Sequence, residues 1–115
     1  MAKPTEINVA FSIWFLAGEE ELLGNRRVEL LETIKRTGSI TNAAKAMQMS
    51  YSKAWLMVAE ISKRSSVPLV GKKVGGKGGG GATVTAEGEK AINEFRKFED
   101  EVREFISEKS KKIEL

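Results

Sequence analysis

The sequence predicts an α+β fold, mainly helical, forming one domain over residues 1–115. Three observations carry the prediction. Apolar residues near the N-terminus alternate with a period of two. From residue 26 the period becomes three or four, with breaks at Gly38 and at Gln48-Met49. Beyond Pro68, two β-prone runs flank a glycine-rich stretch before a single long apolar stripe closes the chain. A chain of this length buries roughly two-thirds of its unfolded surface, so it can build a core without staples.

The first element is a hairpin over residues 6–24. Ile7, Val9, Phe11, Ile13 and Phe15 alternate with Asn8, Ala10, Ser12, Trp14 and Leu16, which predicts a strand of nine or ten residues. Gly18-Glu19-Glu20 turns the chain, and Glu21 to Gly24 forms a short return strand. Trp14 then faces the second side of the sheet and is assigned as a packing residue.

Three helices follow, over 26–37, 39–47 and 50–64. Asn25 is the predicted N-cap of the first, whose stripe is Val28, Leu30, Leu31 and Ile34 and whose end is Gly38. Ser39 caps the second, which buries Ile40, Ala43, Ala44 and Met47; the paired alanines let another helix cross closely. Ser50 caps the third, with Ala54, Val58 and Ile61 inward and Trp55 assigned to the core beside them. Pro68 forbids continuation.

Leu69 to Val74 and Ala82 to Thr85 read as strands, with six glycines and Lys77 between them, giving a hairpin over 69–85. Residues 86–112 form one long helix striped by Ile92, Phe95, Phe98, Val102, Phe105 and Ile106.

Two helices joined by a short turn, the second opening on small and polar residues, make a helix-turn-helix; the glycine hairpin beside it makes a wing. Charge points the same way. Net charge is only +3, yet residues 35–85 carry nine basic groups against the single acid Glu60, while both flanks are mildly acidic. A cationic middle predicts a polyanion-binding face.

Other classes are disfavoured. There is no cysteine and no histidine, which removes thiolate metal sites, the commonest metal ligand and the usual general base, so an enzyme is not expected. No apolar run approaches the roughly 18 residues that span a bilayer, and no signal-peptide pattern opens the chain, so a cytoplasmic protein is expected. Gly76 to Gly81 fits the G-x-G-x-x-G pattern formally, but a strand rather than a helix follows it. Lys77 precedes glycine instead of the Ser or Thr that a P-loop requires.

Arg26-Arg27-Val28-Glu29-Leu30-Leu31, Gly38-Ser39-Ile40, Ala43-Ala44, Ser50-Tyr51, Ala54-Trp55, the glycine run 75–81 and Thr85-x-x-Gly88 together closely resemble the N-terminal domain of the ModE family of molybdate-responsive transcriptional regulators. The helix-turn-helix is also similar, more weakly, to that of the LysR family. The ModE resemblance implies a winged helix-turn-helix that dimerises and presents two recognition helices to a palindromic operator. Full-length members of that family also carry molybdate-binding β-barrel domains with a Ser-Ala-Arg-Asn-type motif, which these 115 residues do not contain. Molybdate sensing is therefore not carried over. The chain is expected to be either a stand-alone relative or the DNA-binding half of a longer protein, and its ending reads as a natural terminus.

The expected function is that of a sequence-specific, double-stranded DNA-binding transcriptional regulator, with a non-specific architectural DNA-binding protein as the alternative. The candidate DNA-binding residues are Ser39, Thr41, Ser50, Tyr51, Ser52, Lys53, Lys72, Lys73 and Lys77. The first two sit beside a phosphate, the middle four on the recognition helix, and the last three on the wing. The candidate dimer seam is Ile92, Phe95, Phe98, Val102 and Phe105, making a homodimer through the last helix. No cofactor, no metal, no membrane and no tight small-molecule ligand are expected.

Overall fold

The turn at Gly18, whose φ is 65°, folds Trp14–Ala17 (β1) antiparallel onto Glu20–Gly24 (β2). A computed structural model describes residues 6–72 and 81–115. Trp14 pairs with Gly24 and Phe15 with Leu23, and a bulge then shifts the register so that Leu16 meets Glu21. The predicted strand is thus shortened: residues 6–13 form no strand, because β2 offers only five residues before a helix begins. They run instead beside the last helix, where Arg103 lies 5.7 Å from the Phe11 ring. Their alternation is real, with Ile7, Phe11 and Ile13 half-buried, but it marks a strap laid on a helix rather than a strand in a sheet. Trp14 is also reassigned. It is exposed and lies over Gly24, where any Cβ would meet the indole at 2.8 Å.

Helix α1 (Asn25–Thr37) starts directly from β2, with Gly24 as its extended N-cap. Asn25 is therefore the first helical residue and not the cap. Its side-chain oxygen accepts a hydrogen bond from Arg96 at 2.8 Å. At the other end Gly38 turns left-handed, φ 72°, and its N–H closes on the Ile34 carbonyl at 2.7 Å. Helix α2 (Ile40–Ala46) and helix α3 (Tyr51–Ser65) begin as predicted. Ser39 Oγ accepts from the Asn42 N–H and Ser50 Oγ from the Lys53 N–H, each at 3.1 Å. The buried face of α3 is Ala54, Met57 and Ile61, with Val58 at its margin.

The strands Val70–Lys72 (β3) and Ala82–Val84 (β4) pair antiparallel, Val70 with Val84 and Lys72 with Ala82. They form the root of the predicted wing. Its glycine tip, with Lys73 and Lys77, lies outside the described residues. Helix α4 (Ala86–Ser110) then crosses back over α1, capped by Thr85, whose Oγ1 accepts from the Gly88 N–H at 3.0 Å and donates to the Pro68 carbonyl at 2.7 Å. Gly88 is required there, since a Cβ would lie 2.2 Å from the Leu69 carbonyl oxygen.

Two apolar clusters share α1 as a common spine. Leu30 and Ile34 pack with Ala43, Ala44, Met47, Ala54, Met57 and Ala82. Val28 and Leu31, on the adjacent face, pack with Leu23, Ile61, Leu69, Ile92 and Phe95. Two members of the predicted dimer seam are thereby corrected. Ile92 and Phe95 are internal core residues, because the first three turns of α4 lie across α1, and Phe95 is 0% exposed. Phe98 and Phe105, further along, stay 50% and 59% exposed and Val102 is half-buried. The radius of gyration, 17.9 Å, exceeds the roughly 13 Å typical of a globule of this length. The excess reflects a 65 Å long axis.

Candidate nucleic-acid interface

Close packing of two small side chains sets the geometry of the interface. Ala43 and Ala44 are fully or almost fully buried, so α1 and α3 approach α2 on its small-residue face. Between α2 and α3 the chain turns through Gln48, at φ 55°, and the Met49 N–H still reaches the Ala44 carbonyl at 3.0 Å. Arg26 holds the same turn by donating to the Met47 carbonyl at 3.1 Å. Sequence reasoning misses this role, because the two residues are 21 positions apart.

With Ala54 and Met57 turned inward, the first turns of α3 face outward. Tyr51, Trp55 and Leu56 are 52%, 53% and 55% exposed, and Ser52 and Lys53 are exposed as well. The core assignment of Trp55 is therefore overturned. It sits one turn beyond Tyr51 on the outer side of the helix, away from the Ala54–Met57–Ile61 face.

The wing root is fastened beside this surface by backbone hydrogen bonds. The Ala82 N–H donates to the Gly38 carbonyl at 2.9 Å, and Ser39 bridges to Gly81. A cleft of about 450 Å³ runs between the wing root and α3, lined by Thr41, Tyr51, Trp55, Val58, Val70 and Lys72, among others. The structure thus gathers Thr41, Tyr51 and Lys72 around one depression. Ser39 and Ser50 each accept one hydrogen bond as helix caps and keep their hydroxyl hydrogens to donate. Lys73 and Lys77 lie outside the described residues.

Ion pairing separates two kinds of surface. Arg64 binds Glu20 at 2.7 Å and Glu60 at 3.0 Å, Arg27 binds Glu21 at 3.0 Å and Glu60 at 3.1 Å, and Lys35 binds Glu89 at 3.0 Å. The one acid of the cationic middle is thereby turned toward β2 and neutralised. Among the described residues, Arg36, Lys45, Lys53, Lys63 and Lys72 form no salt bridge with another described residue. At the junction of α1 and α4 the opposite holds. Arg96 binds Glu32 at 2.7 Å and Glu99 at 3.0 Å, and its pKa rises, first through its hydrogen bond to Glu32 and against the cost of burial. It is a fixed structural cation. Among the described residues no group of three or more acidic, histidine or cysteine side chains is placed to hold a metal ion.

A helix pair joined by a tight turn, an exposed second helix and a two-stranded wing bonded to its neighbour define a winged helix-turn-helix domain. Residues 25–89 match the family model described as bacterial regulatory helix-turn-helix protein, lysR family, and the chain belongs to that family. The chain is also similar to ModE-type regulators. It is 40% identical over 93 residues to the molybdenum-pterin-binding protein MopB of Rhodobacter capsulatus, covering 81% of this chain and 34% of MopB. It is 43% identical over 67 residues to the DNA-binding transcriptional dual regulator ModE of Escherichia coli K12, covering 58% of this chain and 26% of that protein. The chain thus spans about a third or less of the length of these relatives. Among solved structures, a complex of the CbnR DNA-binding domain with DNA superposes with a TM-score of 0.54 at 17% identity, over 67% of this chain and 83% of that one. VV2_1132, a LysR family transcriptional regulator, gives 0.53 at 19% identity, over 68% and 25%. These likenesses establish the fold as that of winged-helix DNA-binding domains. Among the described residues no helix is long and apolar enough to cross a membrane.

Proposed function

We propose that this chain binds double-stranded DNA sequence-specifically, as the DNA-binding part of a cytoplasmic transcriptional regulator of the ModE type, and that it acts as a homodimer without itself doing chemistry. One observation carries the reading: the outward face of α3 and the root of the wing lie side by side across a cleft, and Lys53 and Lys72 on them have no carboxylate partner among the described residues. The Escherichia coli ModE is a DNA-binding transcriptional regulator and the CbnR domain is held in a complex with DNA, and both support the same reading here.

In this reading α3 enters the major groove with Tyr51, Ser52 and Lys53 leading. Ser39, Thr41 and Ser50 donate to phosphates, and Lys72 sets the wing on the backbone. The exposed part of α4, with Phe98, Val102 and Phe105, supplies the seam for a second copy. A 25-residue helix of roughly 37 Å is long enough to separate two domains by about one DNA turn.

The test is fluorescence anisotropy with duplexes selected from a random pool. A selected site should be bound at least about a thousandfold more tightly than random duplex, with an affinity that falls steeply as salt rises. Equal affinity for selected and random duplexes would refute sequence-specific regulation and leave an architectural binder.

A further inference from the structure

We infer that the interface reads thymine methyl groups, through Trp55 and Leu56, more than it reads base edges by paired hydrogen bonds; the inference rests on the DNA-binding reading above. The premise is an anomaly of exposure. Within six consecutive residues of α3, three large apolar side chains, Tyr51, Trp55 and Leu56, are each more than half exposed. A helix of a small domain gains by turning such groups inward, and an apolar patch left outward marks a contact surface.

The chemistry of the same turns narrows the occupant. The exposed residues of positions 51–56 are Tyr51, Ser52, Lys53, Trp55 and Leu56. Lys53 alone can read guanine; none is arginine, asparagine or glutamine, whose forked or paired groups read guanine and adenine edges, and none is a carboxylate that accepts from cytosine. What they present is a wide apolar surface, two hydroxyls and one ammonium. In the major groove the matching feature is the C5-methyl of thymine, the one apolar group on any base edge. Leu56 lies one turn beyond Ser52 and Trp55 one turn beyond Tyr51, so the two form adjacent ridges on the outward side of α3. The Trp55 ridge continues into the cleft toward Val70 on the wing.

A polyanion suits this patch better than a protein partner does. Lys53 follows Ser52 on the exposed first turn of α3, Lys72 lines the cleft, and neither is neutralised by a described carboxylate. Glu20 and Glu21 of the hairpin and Glu99 of α4 are instead engaged by Arg64, Arg27 and Arg96. The apolar surface thus has one such cation on its own helix and another in the adjoining cleft, as a groove with charged walls and methyl groups on its floor demands.

The experiment uses the whole chain and a duplex selected from a random pool, with each thymine of a half-site replaced in turn by deoxyuridine, which lacks only the methyl. Loss of one buried methyl should weaken binding about fourfold at one or more positions. In Leu56→Ala or Trp55→Ala the ratio between thymine and deoxyuridine duplexes at that position should fall to about one. Both side chains are exposed, so the variants keep their fold, and thermal unfolding followed by far-UV circular dichroism, measured alongside, checks it. A parent chain that selects a site yet ignores every methyl overturns this inference alone. So does a methyl effect that survives in both variants. A pool that yields no preferred sequence overturns the DNA-reading function as well.

Discussion

Substitution of Gly88 by alanine sets two effects of opposite sign against each other, and the structure decides between them. In an ordinary helix, exchanging glycine for alanine stabilises by up to about 1 kcal/mol, because glycine has more backbone entropy to lose. Gly88 stands in the first turn of α4, and a Cβ built there would lie 2.2 Å from the Leu69 carbonyl oxygen and 2.7 Å from Val84 Cγ1. The first of these is backbone and cannot rotate away. To regain ordinary contact the start of β3 must retreat by about 1 Å. That retreat stretches the hydrogen bond from the Thr85 N–H to the Leu69 carbonyl, now 3.0 Å, and that from Thr85 Oγ1 to the Pro68 carbonyl, now 2.7 Å. Each is worth about 1 kcal/mol, and overpacking adds about 1–3 kcal/mol. Set against the gain of about 1 kcal/mol, the net is a loss of about 2–4 kcal/mol, or roughly 10–15 °C in Tm for a domain of this size. Urea unfolding followed by far-UV circular dichroism, at fixed protein concentration, measures it. Asn93→Ala, at an exposed position of the same helix, should be neutral or slightly stabilising. If Gly88→Ala were as stable as the parent, the packing of the wing root on α4 would be wrong.

Three further outcomes follow from the same geometry. Lys72→Ala should flatten the log–log salt dependence of DNA binding by about one for each phosphate it no longer neutralises, hence up to about two in a dimer; an unchanged slope and affinity would remove the wing root from the interface. Phe105→Asp places a charge on the exposed length of α4 and should convert dimers to monomers in sedimentation velocity. A parent chain already monomeric at micromolar concentration would refute the seam. Titration calorimetry with molybdate should register no micromolar binding that sulfate cannot displace, because the arginines around the hollow between the N-terminal strap and α4 are already paired: Arg96 with Glu32 and Glu99, Arg103 with Asp100, and Arg26 with Glu29. Selective, tight molybdate binding would show a donor set outside these pairs.

What the sequence makes legible is local. Ser39, Ser50 and Gly38 mark helix ends through hydrogen bonds within four residues, so their roles can be read from spacing alone. The strap of residues 6–13 reads as a strand because a period of two is met equally by a strand in a sheet and by an extended segment on a helix. Periodicity also cannot divide one stripe between two uses. Phe95 and Phe98 are three residues apart on α4, yet one is sealed against α1 and the other is half exposed. Trp55 falls on the edge of the α3 stripe, where a helical wheel permits either side. The Arg27–Glu60 and Arg96–Glu32 pairs, 33 and 64 residues apart in sequence, have no local signature at all.

The double use of α1 links these observations to function. Leu30 and Ile34 hold α2, α3 and Ala82 of the wing root, whereas Val28 and Leu31, on the neighbouring face, hold Leu23 and the first turns of α4. The half that carries the proposed DNA-binding surface and the half that carries the proposed dimer seam therefore share one rigid helix, fixed at one end by Gly24 and at the other by Gly38. Arg96 locks the second half to it through Glu32 and Asn25, and Arg26 locks the first through the Met47 carbonyl. In a dimer joined along α4, the distance between two recognition helices would be set by the angle at which α4 crosses α1. A substitution inside that junction, such as one at Leu31 or Ile92, would change which half-site spacing is tolerated. Substitutions at Trp55 or Leu56 would change which bases are read within each half-site. Spacing and base preference are then separable properties, because the residues that set them belong to different clusters and meet only through α1.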